Sequence, residues 1–592
     1  MYFNQKYEIS KDDYLAKVTD TQFLRRMVVY ASPYRFQLVL AVVVMLIYAM
    51  TNVAQPYLFK VAIDQYILPG DEHGLYRIAM LYLGLLCAEF ALFYMQIWLL
   101  QSTGQNIIYD IRQAIFSHLQ TMSIKFFDRN PVGRLVTRVT NDTEAIKDMY
   151  TDVLVHLCGD IFMLLGIMAI MLYLYWQLAL LVFTVILIVL LVSAIYRSRA
   201  RAALRELRAQ LAQINATLQE NISGIRVIQA FRTEYKKYRE FDQINLRHYQ
   251  ANLKDLKAFA VFRPLIDLIH SAALTMILWY GGGEILQSRI EVGTLFAFVN
   301  YIDKFFAPIK DLTEKYNILQ SALAAAERVF ALLDQQPEIQ DPSFPVRVSE
   351  IKGKIEFKNV WFAYDQEDWI LKNISFVIQP GETVAIVGST GAGKTTIINL
   401  INRLYDIQRG QILIDDIDIR ALAQADLRRM MGVVFQDVFL FSGTIRENIR
   451  LNDLEITDEQ VRQAARQVHA EPLINKLPQH YETNLQQRGA TLSFGERQLL
   501  AFARTLAFNR PILVLDEATA NIDSETEALI QKALEALIFK RTTIIIAHRL
   551  STIQRAKRIL VMHKGRLYEQ GTHQQLLVKQ GIYYRLYQMQ YQ

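Results

Sequence analysis

The sequence predicts two domains of different class: an all-α membrane domain of six spanning helices with long cytoplasmic stalks, followed by an α/β domain. Three observations carry this. Nearly all long apolar runs lie within residues 36–320. After residue 351, short strand-like runs alternate with helical ones. The basic residues gather where apolar runs end, as in Arg197, Arg199, Arg201, Arg205 and Arg208.

Composition agrees. A chain of 592 residues exceeds one ordinary domain. Hydrophobic residues make up 52% and charged ones 21%, with mean hydropathy +0.13. That is too apolar for a soluble enzyme of this size and too charged for a chain wholly in lipid. The placement of the +6 net charge favours a lipid bilayer over nucleic acid. Cys87 and Cys158 lie inside apolar segments and imply no disulfide framework.

The first 35 residues are polar and mixed in charge, unlike a cleavable signal peptide, and read as a cytoplasmic segment. The membrane domain follows over 36–334. Its six spans fall near 37–60, 76–100, 152–175, 177–198, 260–284 and 292–314, each able to cross roughly 20 residues of bilayer. Links after the first, third and fifth spans are short. The links after the second and fourth run for about fifty to sixty residues, read as helical, and carry Arg134, Arg138, Arg226, Lys236 and Lys237. The positive-inside rule places the N-terminus, both long links and the C-terminal half in the cytoplasm. Each long link is interrupted, one by Pro-Val-Gly in "FFDRNPVGRLVTRVTND" and the other by Ser-Gly in "QENISGIRVIQAF".

Some polar residues fall within spans: Glu89, Asp160, Asp303 and Lys304, and on one helical face Arg263, Asp267 and His270. They either line a path for substrate or pair with one another. Residues 335–350, with three prolines, read as a linker to the α/β domain of 351–592.

That domain opens with the strand-like runs "KIEFKNVWFAY" and "TVAIVG" and then carries "GSTGAGKTT" (388–396), a Gly-x4-Gly-Lys-Thr pattern between the run ending at Val387 and the helical "IINLINRL". Gly388, Ser389, Thr390, Gly391, Ala392, Gly393, Lys394, Thr395 and Thr396 form a loop whose amides can wrap a phosphate chain. Lys394 is placed for the β- and γ-phosphates and Thr395 for Mg²⁺. In "PILVLDEATA" (511–520), four apolar residues end in Asp516, suited to hold magnesium through water, and Glu517, suited to polarise an attacking water.

With these motifs on the page, nearly the whole chain resembles the ATP-binding cassette (ABC) transporters, specifically exporter half-transporters. Tyr364 in "WFAY" matches the family's adenine-stacking aromatic residue. Gln436 in "VVFQD" matches the glutamine that reaches Mg²⁺ and water, and His548 in "IIAHRL" the switch histidine. The segment 126–142 resembles the first intracellular loop, whose transverse helix docks on a nucleotide domain. The resemblance implies ATP and Mg²⁺ as cofactors, ATP hydrolysis coupled to export, and a second half-transporter chain as partner. It also implies a multi-pass protein of the cell membrane (inner or plasma), moving a drug, lipid or peptide-like substrate.

"LSFGERQ" (492–498) resembles the family's signature loop, which faces the nucleotide held by the partner chain. Ser493 and Gly495 are kept, but Phe494 replaces a glycine and Glu496 a glutamine. Gln487 and Ala520-Asn521 depart from the pattern too, whereas every residue serving the chain's own ATP matches. Departures confined to the partner-facing side point to a heterodimer in which this chain supplies the hydrolytic Glu517. A homodimeric exporter or flippase, and a nucleotide-gated channel on the same fold, are the alternatives. A chromosome or DNA-repair ATPase shares the loop motifs but lacks membrane spans.

Overall fold

The computed structural model describes residues 20–348, 351–365, 368–516, 524–547 and 550–591. They form two compact units. One holds the chain up to residue 120 together with 132–335; the other holds 121–131 and everything from 336 onward.

The first unit is helical. Its long elements are α1 (Arg35–Val61), α2 (Glu72–Thr121), α4 (Val155–Ser223), α5 (Glu234–Leu286) and α6 (Val292–Leu333). Between α2 and α4 lies the short α3 (Ile124–Arg129), which belongs to the other unit. At 1.5 Å per residue, the 50 residues of α2 reach about 75 Å, far beyond a hydrocarbon core of about 30 Å. The remainder is stalk, as the long basic links predict.

Among the described residues, four helical stretches are long and apolar enough to cross a membrane: Arg25–Ile67, Glu72–Thr121, Val132–Tyr196 and Glu234–Leu286. The third and fourth predicted spans share α4, which breaks at Tyr175 into two arms (φ −164°, ψ 98°). The sixth predicted span falls on α6, where Asp303, Lys304, Lys310 and Asp311 lower the hydropathy. No residue of the most apolar window in α2 is buried within the protein, as expected of a helix whose outer face meets lipid.

Both stalk interruptions fall where the sequence puts them. Ser223 ends α4 at Gly224, and Asn130 is extended beside Pro131. Of the polar residues inside spans, Glu89, Asp160, His270, Asp303 and Lys304 are paired. Lys304 Nζ donates to Gln55 Oε1 at 2.7 Å and to Asn52 Oδ1 at 3.0 Å, and Gln55 in turn donates to Glu89. Asp160 pairs with Lys315, and His270 Nε2 lies 2.8 Å from Asp303. The bonds among Asn52, Gln55, Glu89 and Lys304 tie α1, α2 and α6 together through two amides and one ammonium group.

The second unit is α/β. A six-stranded sheet has the order β12-β11-β3-β10-β9-β6, from β3 (Thr383–Gly388), β6 (Met431–Val434), β9 (Ile512–Asp516), β10 (Thr542–Ile546), β11 (Arg558–His563) and β12 (Arg566–Gly571). All pair in parallel except the edge strand β12. A four-stranded antiparallel sheet, β2-β1-β4-β5, comprises β1 (Ile355–Ala363), β2 (Trp369–Ile378), β4 (Arg409–Ile414) and β5 (Ile417–Asp418). A small ribbon joins β7 (Gly443–Thr444) to β8 (Asn484–Leu485).

The parallel strands are apolar on both faces because each face has its own core. Val384, Ile386, Val514, Ile544 and Ile546 enter one; Ala385, Val387, Leu513, Leu515 and Ile545 enter the other. With the C-terminal ends of its parallel strands on one edge, this sheet gathers the ends of β3, β6, β9 and β10 side by side.

Candidate functional site

The site is built on that edge, where open parallel sheets present loops to ligands. β3 runs into the 389–393 loop and then α7 (Lys394–Ile401). Two glycines of the loop are sterically required. A Cβ at Gly388 would stand 2.3 Å from the Met562 carbonyl oxygen of β11. Gly393 has φ +94°, and a Cβ there would stand 2.7 Å from Leu371 Cδ2.

Lys394 folds into the loop it follows. Its Nζ donates to the Gly388 and Ser389 carbonyls at 2.8 and 3.1 Å, and the residue is buried. Burial lowers its pKa, an effect the Asp516 carboxylate opposes. Ser389, Thr390, Gly391 and Thr395 are exposed, while Ala392 is packed into the core beneath them. The Thr395 hydroxyl donates to Asp516 Oδ2 at 3.2 Å, so the loop helix and the end of β9 meet at the predicted metal position. Thr396 faces the other way, with its hydroxyl 3.3 Å from that of Tyr364.

Gln436 lies exposed two residues past β6, whose Val434 pairs with Leu515 next to Asp516. Glu517, Ala520, Asn521 and His548 lie outside the described residues. The chain leads directly to the first and last, from Asp516 at the end of β9 and from Ala547, whose N–H donates to the Ile386 carbonyl at 3.3 Å.

Ser493 and Gly495 are placed elsewhere. Ser493 is the N-cap of α10 (Phe494–Ala507), which packs against α8 (Ile445–Arg450) and α9 (Asp458–Gln467). Its hydroxyl accepts the Glu496 N–H at 3.3 Å, and the Glu496 carboxylate accepts the Ser493 N–H at 2.7 Å, a complete capping box. No hydrogen bond joins this cap to the 388–396 loop among the described residues. The cap and the 388–396 loop thus stand on different elements of this unit.

One residue of this surface went unread in the sequence. The Tyr405 hydroxyl donates to Asp128 on α3, and its ring meets that of Tyr364 edge-on at 5.0 Å. Burial and the Asp128 carboxylate push its phenol pKa up. Lys125 of α3 pairs with Glu338, and Arg129 lies 3.6 Å from Asp365. The short helix α3 thus rests on a surface that includes Tyr405, the neighbour of the aromatic residue beside the loop. "NRLYD" carries no spacing signal that would have marked Tyr405.

Two family models match this architecture, the ABC transporter transmembrane region over residues 38–309 and the ABC transporter domain over 371–520. The chain belongs to the ABC transporter family. Among similar ABC proteins is the probable multidrug resistance ABC transporter ATP-binding/permease protein YheH of Bacillus subtilis, 41% identical over 90% of this chain and 79% of that one. The ATP-dependent lipid A-core flippase of Syntrophus aciditrophicus is 36% identical over 96% of this chain and 94% of its own. The solved structure of a bacterial Atm1-family ABC exporter with ATP bound superposes with a TM-score of 0.78 at 28% identity, covering 94% and 98% of the two chains. The chain is therefore an exporter-type ABC half-transporter, a membrane protein with its ATP-binding domain on the cytoplasmic side. It couples ATP hydrolysis to transport and works as a dimer, as ABC exporters do.

Proposed function

We propose that this ABC protein is one half of a heterodimeric exporter of the cell membrane, inner or plasma, and that it supplies the hydrolytic glutamate of the assembly. The observation that carries the proposal is Phe494: a ring stands in the partner-facing signature loop at a position suited to glycine, while the loop for the chain's own nucleotide keeps each required residue. The glycine cradle at 388 and 393, where a Cβ would collide, and the oxygen set of Thr395 and Asp516 fit ATP and Mg²⁺.

In this reading Tyr364 stacks on adenine and the amides of Gly388 to Thr396 hold the phosphates, with Lys394 neutralising them. Thr395, Gln436 and Asp516 hold Mg²⁺, which when bound offsets phosphate charge. Glu517 polarises the attacking water and His548 senses the γ-phosphate. Ser493 and Gly495 present an amide-rich helix start to the nucleotide of the partner chain. The similarity to proteins named as a multidrug transporter and a lipid flippase supports an amphipathic drug-, lipid- or peptide-like substrate.

The test is steady-state ATPase of the purified assembly. Glu517→Gln is expected to reduce turnover by about 10²–10⁴, the range for a lost general base. Ser493→Ala, acting at the weaker site, is expected to reduce it only mildly. Equal collapse for both variants, in a chain that purifies alone as an active dimer, would rule out the heterodimer.

A further inference from the structure

The apolar run of α4 ends at Tyr196, where the sequence turns basic with Arg197, Arg199 and Arg201. Around that point a cavity of about 510 Å³ opens between α4 and α5. Its two ends differ in chemistry. Val192, Ile195 and Leu265 line the membrane end. Arg199, Lys254, Lys257 and Glu206 line the stalk end.

The segregation follows from the two helices running in opposite directions. Along α4 the lining residues go from apolar to charged; along α5 they go from charged to apolar. The direct bond of Lys254 Nζ to both Glu206 oxygens, at 2.7 and 2.9 Å, shows the charged ends side by side. Tyr196 stacks on Phe262 at 4.0 Å and marks the divide. Lys254 already neutralises Glu206, while Arg199 and Lys257 form no ion pair among the described residues. Two cationic side chains thus face a cavity whose other half is hydrocarbon, at the depth where a spanning helix leaves the bilayer. Ala202 and Ala203 leave room beside the cations.

We propose that this cavity binds an acidic phospholipid of the cytoplasmic leaflet, its phosphate against Arg199 and Lys257 and its first acyl segment along Val192, Ile195 and Leu265. A free phosphate would use only the charged half; the continuous apolar wall selects a lipid. The site is distinct from the nucleotide site and independent of what the exporter moves.

The experiment uses the full-length assembly in nanodiscs of phosphatidylcholine with or without phosphatidylglycerol, and native mass spectrometry to count retained phosphatidylglycerol. Arg199→Gln and Lys257→Gln are each expected to weaken retention about fivefold, the effect of one cation at a membrane surface. ATPase in pure phosphatidylcholine serves as the check on folding. Ala203→Trp, which fills the cavity without touching charge, is expected to expel the lipid as well. Retention unchanged in all three variants would overturn the proposal. So would displacement of the lipid by soluble glycerol phosphate, which would make this a simple anion site, or burial of Cys at Ala203→Cys against the second chain in a crosslinking test.

Discussion

Ser493 and Glu496 hold each other: the carboxylate accepts the serine N–H at 2.7 Å and the serine hydroxyl accepts the glutamate N–H at 3.3 Å. From the sequence, Glu496 reads as a negative charge set beside a polyphosphate. The fold gives it a local task, closing the start of α10, which glutamine performs equally well. Phe494 is then the residue whose chemistry favours two unlike chains. The cap also places the serine hydroxyl, so the loop's geometry depends on both residues.

Glu496→Gln is accordingly expected to leave thermal stability of the full-length protein within about 0.5 kcal/mol. Glu496→Ala removes one half of the box and is expected to cost about 1 kcal/mol. ATPase assays separate charge from cap. Faster turnover in Glu496→Gln together with slower turnover in Glu496→Ala would mean that the charge itself restrains the site.

Tyr405 links α3 to the aromatic residue beside the phosphate loop through its bond to Asp128 and its ring contact with Tyr364. Tyr405→Phe keeps the ring and deletes the hydroxyl. It is expected to preserve ATP binding and most ATPase activity while lowering the substrate moved per ATP, measured in vesicles. A charged residue at Phe127 is expected to act in the same direction. Full coupling in both variants would show that α3 transmits nothing through this contact.

The cassette was legible because its function demands local pattern. A strand that must deliver a phosphate loop reads as an apolar run followed by glycines, and β9 reads as an apolar run ending in Asp516. The docking helix was legible as a break in a long basic link. Its receptor was not, since Tyr405 lies 277 residues from Asp128 and nothing local records that partnership. The sixth span was visible as an apolar segment, but its charges weakened the signal. Those charges became intelligible only when Asn52 and Gln55 of α1 were seen to meet Lys304.

Lys304 supports a prediction of its own. Removing its ammonium group leaves Gln55 and Glu89 without their cation, so Lys304→Leu is expected to cost about 1–3 kcal/mol in thermal unfolding. Combining it with Glu89→Gln should cost less than the sum of the two, by about 0.5 kcal/mol or more, because both belong to one network. Simple additivity would mean that Gln55 does not couple them.

Gly388 and Lys394 should both be needed for ATP binding, for different reasons. Lys394→Ala removes a cation aimed at phosphate; the loss of its bonds to the Gly388 and Ser389 carbonyls is offset by no longer burying an ammonium group. A hydrogen bond to a charged group contributes about 1.5–3 kcal/mol, so nucleotide affinity should fall about ten- to a hundredfold. Thermal stability without nucleotide should change little. Gly388→Ala drives a methyl group toward the Met562 carbonyl at 2.3 Å, where β3 and β11 are paired and neither strand can yield. Overpacking of this kind costs about 1–3 kcal/mol, so this variant should lose stability even without nucleotide, and lose affinity because the loop is displaced. Nucleotide binding by a fluorescent ATP analogue and unfolding temperature, read on both variants, separate the two causes. A Gly388→Ala protein of normal stability and normal affinity would mean that the loop does not hold the phosphates where β3 delivers it.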